Sequence, residues 1–241
     1  MEHSVKIEHV SKRFGSKAIL DDISLTIEKG TIYGLIGPSG AGKTTLVKLI
    51  VGMDVSDTGS ISVFNQSVPN FDLLQRIGYM AQADALYIDL TGKENLAFFA
   101  SLYGMSKEEQ RKRMDYTAEL VGLTDQLSKK VNAYSGGMKR RLSLAIALIQ
   151  DPDILILDEP TVGMDPALRL SIWNELLRLK NEEGKTILVT THVMDEAERC
   201  DVLAMVREGR ILANGSPTEL KKSYNASTLD EVFLHAGREQ V

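Results

Sequence analysis

The chain has 241 residues, 43% hydrophobic and 25% charged, enough for a sizeable core in one domain or two closely joined subdomains. Its net charge of −5 argues against general binding to nucleic acid or anionic lipid, while leaving room for a local basic patch. One cysteine, Cys200, rules out an intrachain disulfide and fits a reducing cytosol, and no apolar run approaches the roughly 18 residues that span a bilayer. The start, "MEHSVKIEHV", lacks the apolar stretch of a secretory signal.

"SVKIEHV", "ISLTI" and "GSISVF" alternate apolar and polar residues, which predicts half-buried antiparallel strands. "TIYGLIG" is a more continuous apolar strand running into a glycine loop and a helix over Lys43 to Gly52. "RIGYMA" predicts another core strand, and from about Thr91 to Gln150 the pattern turns helical. There Ser106 and Glu109 form a capping box for the helix that follows. "DILILD" and "KTILVTT" read as buried strands flanking a helix, "PALRLSIWNELLRLKNEEG", that ends at Gly184. "MDEAERC" predicts a helix, "VLAMVREGRILANG" a hairpin, and "SPTELKKSY" a short helix opening at Ser216 with Pro217 in its first position. The expected fold is α/β: a mostly parallel central sheet, an N-terminal antiparallel β subdomain and an inserted helical subdomain. The core is expected over about 1–90 and 151–225, the insertion over about 91–150, and a C-terminal tail over about 226–241.

Gly37, Gly40, Gly42, Lys43 and Thr44, with Pro38, Ser39, Ala41 and Thr45 between and after them, match the phosphate-binding pattern G-x-x-x-x-G-K-[ST]. In that pattern glycine N–H groups wrap the phosphates, the lysine reaches the β/γ oxygens and the hydroxyl of Thr44 ligates Mg²⁺. A strand before and a helix after supply the required context, so a P-loop nucleotide site is expected. "DILILDEP" ends a buried strand in two carboxylates. Asp158 suits Mg²⁺, and Glu159 suits orienting or deprotonating an attacking water. Gln82 and His192 each follow a core strand and can reach a γ-phosphate, or else be satisfied within the fold. Phe14 can stack on adenine or fill a core turn.

"YSGGM" poses a separate question. Ser135, Gly136 and Gly137 open a basic helix, a second anion cradle with no lysine of its own. If two copies meet head to tail, each such cradle can cap the nucleotide on the other's P-loop, and a twofold dimer closes the arrangement.

With these elements in this order, nearly the whole chain resembles the nucleotide-binding subunit of an ABC transporter. "GPSGAGKTT" resembles the Walker A loop, "ILILDEP" the Walker B strand, and "YSGGM" the signature, with Tyr134 and Met138 where Leu and Gln are usual. Gln82 resembles the Q-loop glutamine, Asp165 in "TVGMDP" the D-loop aspartate, His192 the switch histidine and Phe14 the A-loop aromatic. The resemblance implies ATP and Mg²⁺ as cofactors, with Thr44, Gln82 and Asp158 as metal ligands. It implies an ATP sandwich dimer, either a homodimer or a heterodimer with a related subunit. It further implies a polytopic membrane permease partner and a place on the cytoplasmic face of the cell membrane. "SGGMKRRLSLAIALIQDPDILILDEPTVGMDP" and "STLDEVFLHAG" are similar to subunits that power exporters of drugs, lipids or polysaccharides. The alternative is a non-transport relative acting on the ribosome or on DNA. No coiled-coil run or second cassette supports it.

Overall fold

The structure is a computed structural model, and it describes residues 2–83 and 85–238. Along the chain run strands β1 (His3–Phe14), β2 (Lys17–Glu28) and β3 (Ile32–Ile36), then helix α1 (Lys43–Val51), strands β4 (Thr58–Val63), β5 (Gln66–Ser67) and β6 (Ile77–Met80). Helices α2 (Gly92–Leu102), α3 (Lys107–Leu120) and α4 (Gly136–Ala147) follow, then β7 (Ile154–Asp158), α5 (Pro166–Glu183) and β8 (Thr186–Thr191). The single turn α6 (Met194–Ala197), the pair β9 (Val202–Arg207) and β10 (Arg210–Gly215), α7 (Pro217–Ser223) and α8 (Leu229–Ala236) complete it.

These elements fall into two compact units, Met1–Phe71 with Thr186–Val241, and Asp72–Lys185. In the first unit β2, β1, β4 and β5 form an antiparallel sheet in that order. Beside it β3 lies between β8 and β9 and runs parallel to both, with β10 antiparallel on β9. All of β3 and β8 is buried, as expected of parallel strands covered on both faces. The strands β1 and β2 run further than alternation predicts. Their register shifts between Ile7 and Val10 and between Val10 and Lys12, and His9 and Asp22 hold positive φ. The bulges break the period-two pattern while the pairing carries on to Phe14.

In the second unit β6 and β7 pair in parallel, Ile77 with Ile154 through Met80 with Leu157. The helical stretch resolves into α2, α3 and α4, which pack on one another. The predicted box at Ser106 and Glu109 is present, and Thr91 with Glu94 forms a second at the start of α2. Helix α5 buries Ile172, Trp173, Leu176 and Leu179, one stripe at helical spacing, and stops at Gly184 in the left-handed conformation. The helix expected in "MDEAERC" is the short α6, and the C-terminal tail carries an amphipathic helix, α8, capped by Thr228 and Glu231.

Candidate functional site

Each unit carries its own part of the machinery. In the first, β3 delivers Gly37 to a loop whose crest, Pro38 to Gly40, is exposed, and α1 begins directly after Gly42. Gly42 caps this helix at φ 107° with no side chain to satisfy the first turn, so the loop offers backbone N–H groups rather than a capping hydroxyl. A Cβ on Gly42 would come within 2.7 Å of Leu20 and 2.9 Å of the Ile19 carbonyl. A Cβ on Gly37 would lie 2.1 Å from the Val206 carbonyl oxygen. The loop is therefore pressed onto β9 and β2, and the glycines are what allow it. Lys43 is 6% exposed, and its Nζ donates to the carbonyls of Gly37 at 2.7 Å and Pro38 at 3.1 Å. The ammonium thus lies folded inside the loop it is expected to serve. Thr44 and Thr45 are half-buried in the first turn of α1.

His192 is exposed at the end of β8. The turn that carries it is shaped by Thr191, whose hydroxyl donates to Glu196 at 2.8 Å and accepts from the Val193 N–H at 3.0 Å. His192 lines a cavity of about 200 Å³ together with Gly37, Pro38, Met194 and Phe233. The histidine and the P-loop therefore share one recess, and Phe233 of α8, within the "STLDEVFLHAG" stretch, lines its wall with a phenyl ring. Phe14 is 55% exposed, which removes the core reading and leaves its ring open for stacking. Lys12 stands 5.3 Å from the centre of that ring while donating to Asp54 at 2.7 Å and to the Val55 carbonyl at 2.6 Å.

In the second unit Asp158 is 1% exposed at the end of β7, and Glu159 is half-buried immediately after it. Glu159 holds φ 53°, a left-handed conformation that a non-glycine residue keeps only where its surroundings enforce it. Tyr79 on neighbouring β6 has its hydroxyl pushed up to about 12, by burial first and by the Asp158 charge second. Gln82 is exposed just beyond β6. Ser135 caps α4, its Oγ accepting from the Met138 N–H at 3.2 Å, and Gly136 beside it is exposed with open space where a Cβ would stand. Asp165 caps α5 in the same way, accepting from the Leu168 N–H at 2.9 Å.

The two departures in the signature have different characters. Tyr134 is 5% exposed and points into the second unit, donating its hydroxyl to the Gln126 carbonyl at 2.8 Å. Gly92 makes the room, since a Cβ there would sit 2.3 Å from that hydroxyl. Tyr134 therefore replaces an aliphatic core residue by an aromatic with its polar end satisfied. Met138 is half-buried in the first turn of α4.

Sequence reasoning missed Arg140, which is 8% exposed. Its Nη1 donates to the carbonyls of Ala81 at 2.6 Å and Gln82 at 2.8 Å, and its Nη2 to those of Asp158 and Glu159, the latter at 2.8 Å. A signal was available. Arg140, Leu144 and Ala147 share the buried stripe of α4, an unusual place for a cation without partners.

A buried parallel strand, a glycine loop and a helix opening on Lys43 and Thr44 define a P-loop nucleotide-binding protein. The ABC transporter family profile matches residues 20–162. The chain is 44% identical over 232 residues to "Nod factor export ATP-binding protein I" of Burkholderia lata, covering 95% of this chain and 76% of that protein. It is 40% identical to "ABC transporter G family member 23" of Dictyostelium discoideum, covering 98% of this chain and 34% of that one. Among solved structures, an ATP-binding subunit of an ABC transporter superposes with a TM-score of 0.89 at 27% identity, over 97% of this chain and 99% of the other. A dimeric ATP-binding cassette in a post-hydrolysis state, bound to ADP and Pi, superposes with a TM-score of 0.82 at 29% identity, over 88% and 98%. The chain belongs to the ABC transporter family and is an ATP-binding, ATP-hydrolysing subunit of it.

Proposed function

We propose that this chain works as a head-to-tail dimer that closes on ATP, reopens after hydrolysis, and so drives export through a separate polytopic membrane subunit. The observation that carries this reading is the incomplete second cradle. Ser135 and Gly136 are exposed and Gly137 half-buried, a helix start that holds no lysine and no glycine loop of its own. A partner's nucleotide completes it, and two similar structures are dimers. Homodimer and heterodimer both satisfy this geometry.

Within each site, the backbone N–H groups of the loop from Gly37 to Thr45, Pro38 aside, and the Lys43 ammonium hold the phosphates, and Phe14 stacks on the adenine. Thr44, Asp158 and the Gln82 amide, the expected cation ligands, each carry an oxygen donor of the kind a hard divalent cation takes, and the Asp158 carboxylate is buried. Bound Mg²⁺ would supply charge neutralisation at the β/γ oxygens. Glu159 orients or deprotonates the attacking water, and His192 holds the γ-phosphate. Loss of the γ-phosphate removes the contacts that hold the two copies closed.

The membrane subunit is proposed to dock on the helical part of the second unit. In Leu96–Met105, Leu96 and Ala100 are core, whereas Phe98 and Leu102 are exposed. Phe98 packs edge-on against Tyr87 at 4.8 Å and against Phe99 at 5.4 Å. Buried Asn95 fixes that cluster by bonding the Tyr87 N–H and carbonyl. Among the described residues no helix is long and apolar enough to cross a membrane. The export direction is supported by the names of the relatives, and cargo selection is assigned to the membrane subunit. Tagging the chain in its host, solubilising membranes in mild detergent and identifying what co-purifies tests the reading. A polytopic membrane protein in stoichiometric amount supports it; ribosomal or DNA-bound partners without one overturn it.

A further inference from the structure

We infer that Arg140 is a positioning residue for ATP hydrolysis, setting the two strand ends that carry Gln82 and Glu159 from the helix that opens on the signature. The inference rests on the catalytic reading of Glu159 given above. The parallel ladder of β6 and β7 ends at the pair Met80 and Leu157. The next two carbonyls on each strand, those of Ala81, Gln82, Asp158 and Glu159, have left the ladder, and the Arg140 guanidinium accepts that role by donating to all four. A planar fork with five donors in fixed directions can serve two diverging chain ends at once, and a lysine ammonium with three donors at one point cannot.

The consequence falls on Glu159. Its left-handed backbone is a conformation that a non-glycine residue holds only where the surroundings over-determine it. Two of the four bonds fix the carbonyls immediately before and at that residue, and so fix the direction its carboxylate takes. The other two fix the peptide of Gln82. Arg140 lies one helical turn and a half beyond Ser135, on the face of α4 opposite to solvent. One side chain therefore makes the aim of the water-activating carboxylate depend on the seating of the signature helix. Arg140 touches none of the reacting atoms.

The test is steady-state ATPase kinetics on the full chain, wild type, Arg140→Lys, Glu159→Gln and the double variant, with binding of a fluorescent ATP analogue and a thermal melt on each. Arg140→Lys keeps the buried charge and loses the fork. We expect it to melt cooperatively, to bind the analogue within about threefold of wild type, and to lose on the order of 100-fold in kcat with KM little changed, as about 1 Å of misplacement does. In the Glu159→Gln background the further loss should shrink to the small part exerted through Gln82, because the carboxylate it positions is already gone. Full kcat in Arg140→Lys beside an inactive Glu159→Gln overturns the Arg140 role alone, since charge without geometry then suffices. Equal losses in the presence and absence of Glu159 also overturn it. Near-normal turnover in Glu159→Gln overturns the catalytic reading itself, whatever Arg140→Lys does. If Arg140→Lys melts early, the ratio of turnover to bound analogue decides, because misfolding lowers both together and mispositioning lowers only the first.

Discussion

Replacing Gly37 by alanine adds one methyl group at the point where the P-loop touches the sheet. That methyl would sit 2.1 Å from the Val206 carbonyl oxygen and 3.1 Å from its carbon, whereas tolerated contacts begin near 3.0 Å. Something must move by about 1 Å, and β9 cannot, because Val206 is fully buried with β3 on one side and β10 on the other. The loop must yield. A displacement of about 1 Å at phosphate-holding groups costs on the order of 100-fold in kcat/KM, which corresponds to about 2.7 kcal/mol of transition-state stabilisation. Overpacking should also cost about 1–3 kcal/mol of stability, read as a fall of several degrees in the melt. Gly40→Ala is the control: φ is 81° there but no atom lies within 4 Å, so only about 1–2 kcal/mol of left-handed backbone cost applies. The assay is coupled ATP turnover at varied ATP. Wild-type kcat/KM in Gly37→Ala would refute the claim that close approach to β9 sets the loop.

Gly136→Ala should separate folding from function. A Cβ at Gly136 meets nothing within 4 Å, and alanine favours helix over glycine by roughly 0.5–1 kcal/mol, so the melt should hold or rise. Turnover should nevertheless fall by at least about tenfold if these N–H groups approach a partner's nucleotide closely; undiminished turnover would remove the signature from the site. Cys200 offers a pH test. Burial first, then the charges of Asp201 and Glu196, push its thiol up to about 12 from 9.0. The raised value means that burial of the neutral thiol stabilises the fold fully below pH 9.0, and that this is lost as pH rises toward 12. A thiol reagent at pH 8 should therefore leave the native chain unlabelled and react once with the unfolded chain. Rapid stoichiometric labelling of the native chain would contradict the burial.

The P-loop was legible because its chemistry demands particular residues at fixed spacing after a core strand, and the structure places Gly37 to Thr45 there. The capping role of Ser135 follows from an equally local rule, whereas the exposure of Phe14 was decided only by the structure, since an aromatic at a turn fits core and surface alike. Arg140 was hidden for a different reason. Its partners are carbonyls, which every residue has, so no residue type at the receiving end betrays the contact. The length of β1 was obscured by its bulges, which break the alternation without ending the pairing. The fit of Tyr134 depends on Gly92, 42 positions away, and the left-handed Glu159 on side chains outside its own strand.

The most direct test of the central claim, that ATP closes two copies and Glu159 is what reopens them, is the mass in solution of Glu159→Gln by light scattering. The expected mass is that of one chain without nucleotide and twice that with Mg²⁺ and ATP, with turnover abolished. A single-chain mass at saturating ATP would contradict closure between two copies of this chain, leaving only a pairing with a related subunit, and ATP hydrolysis close to wild type would contradict the role of Glu159.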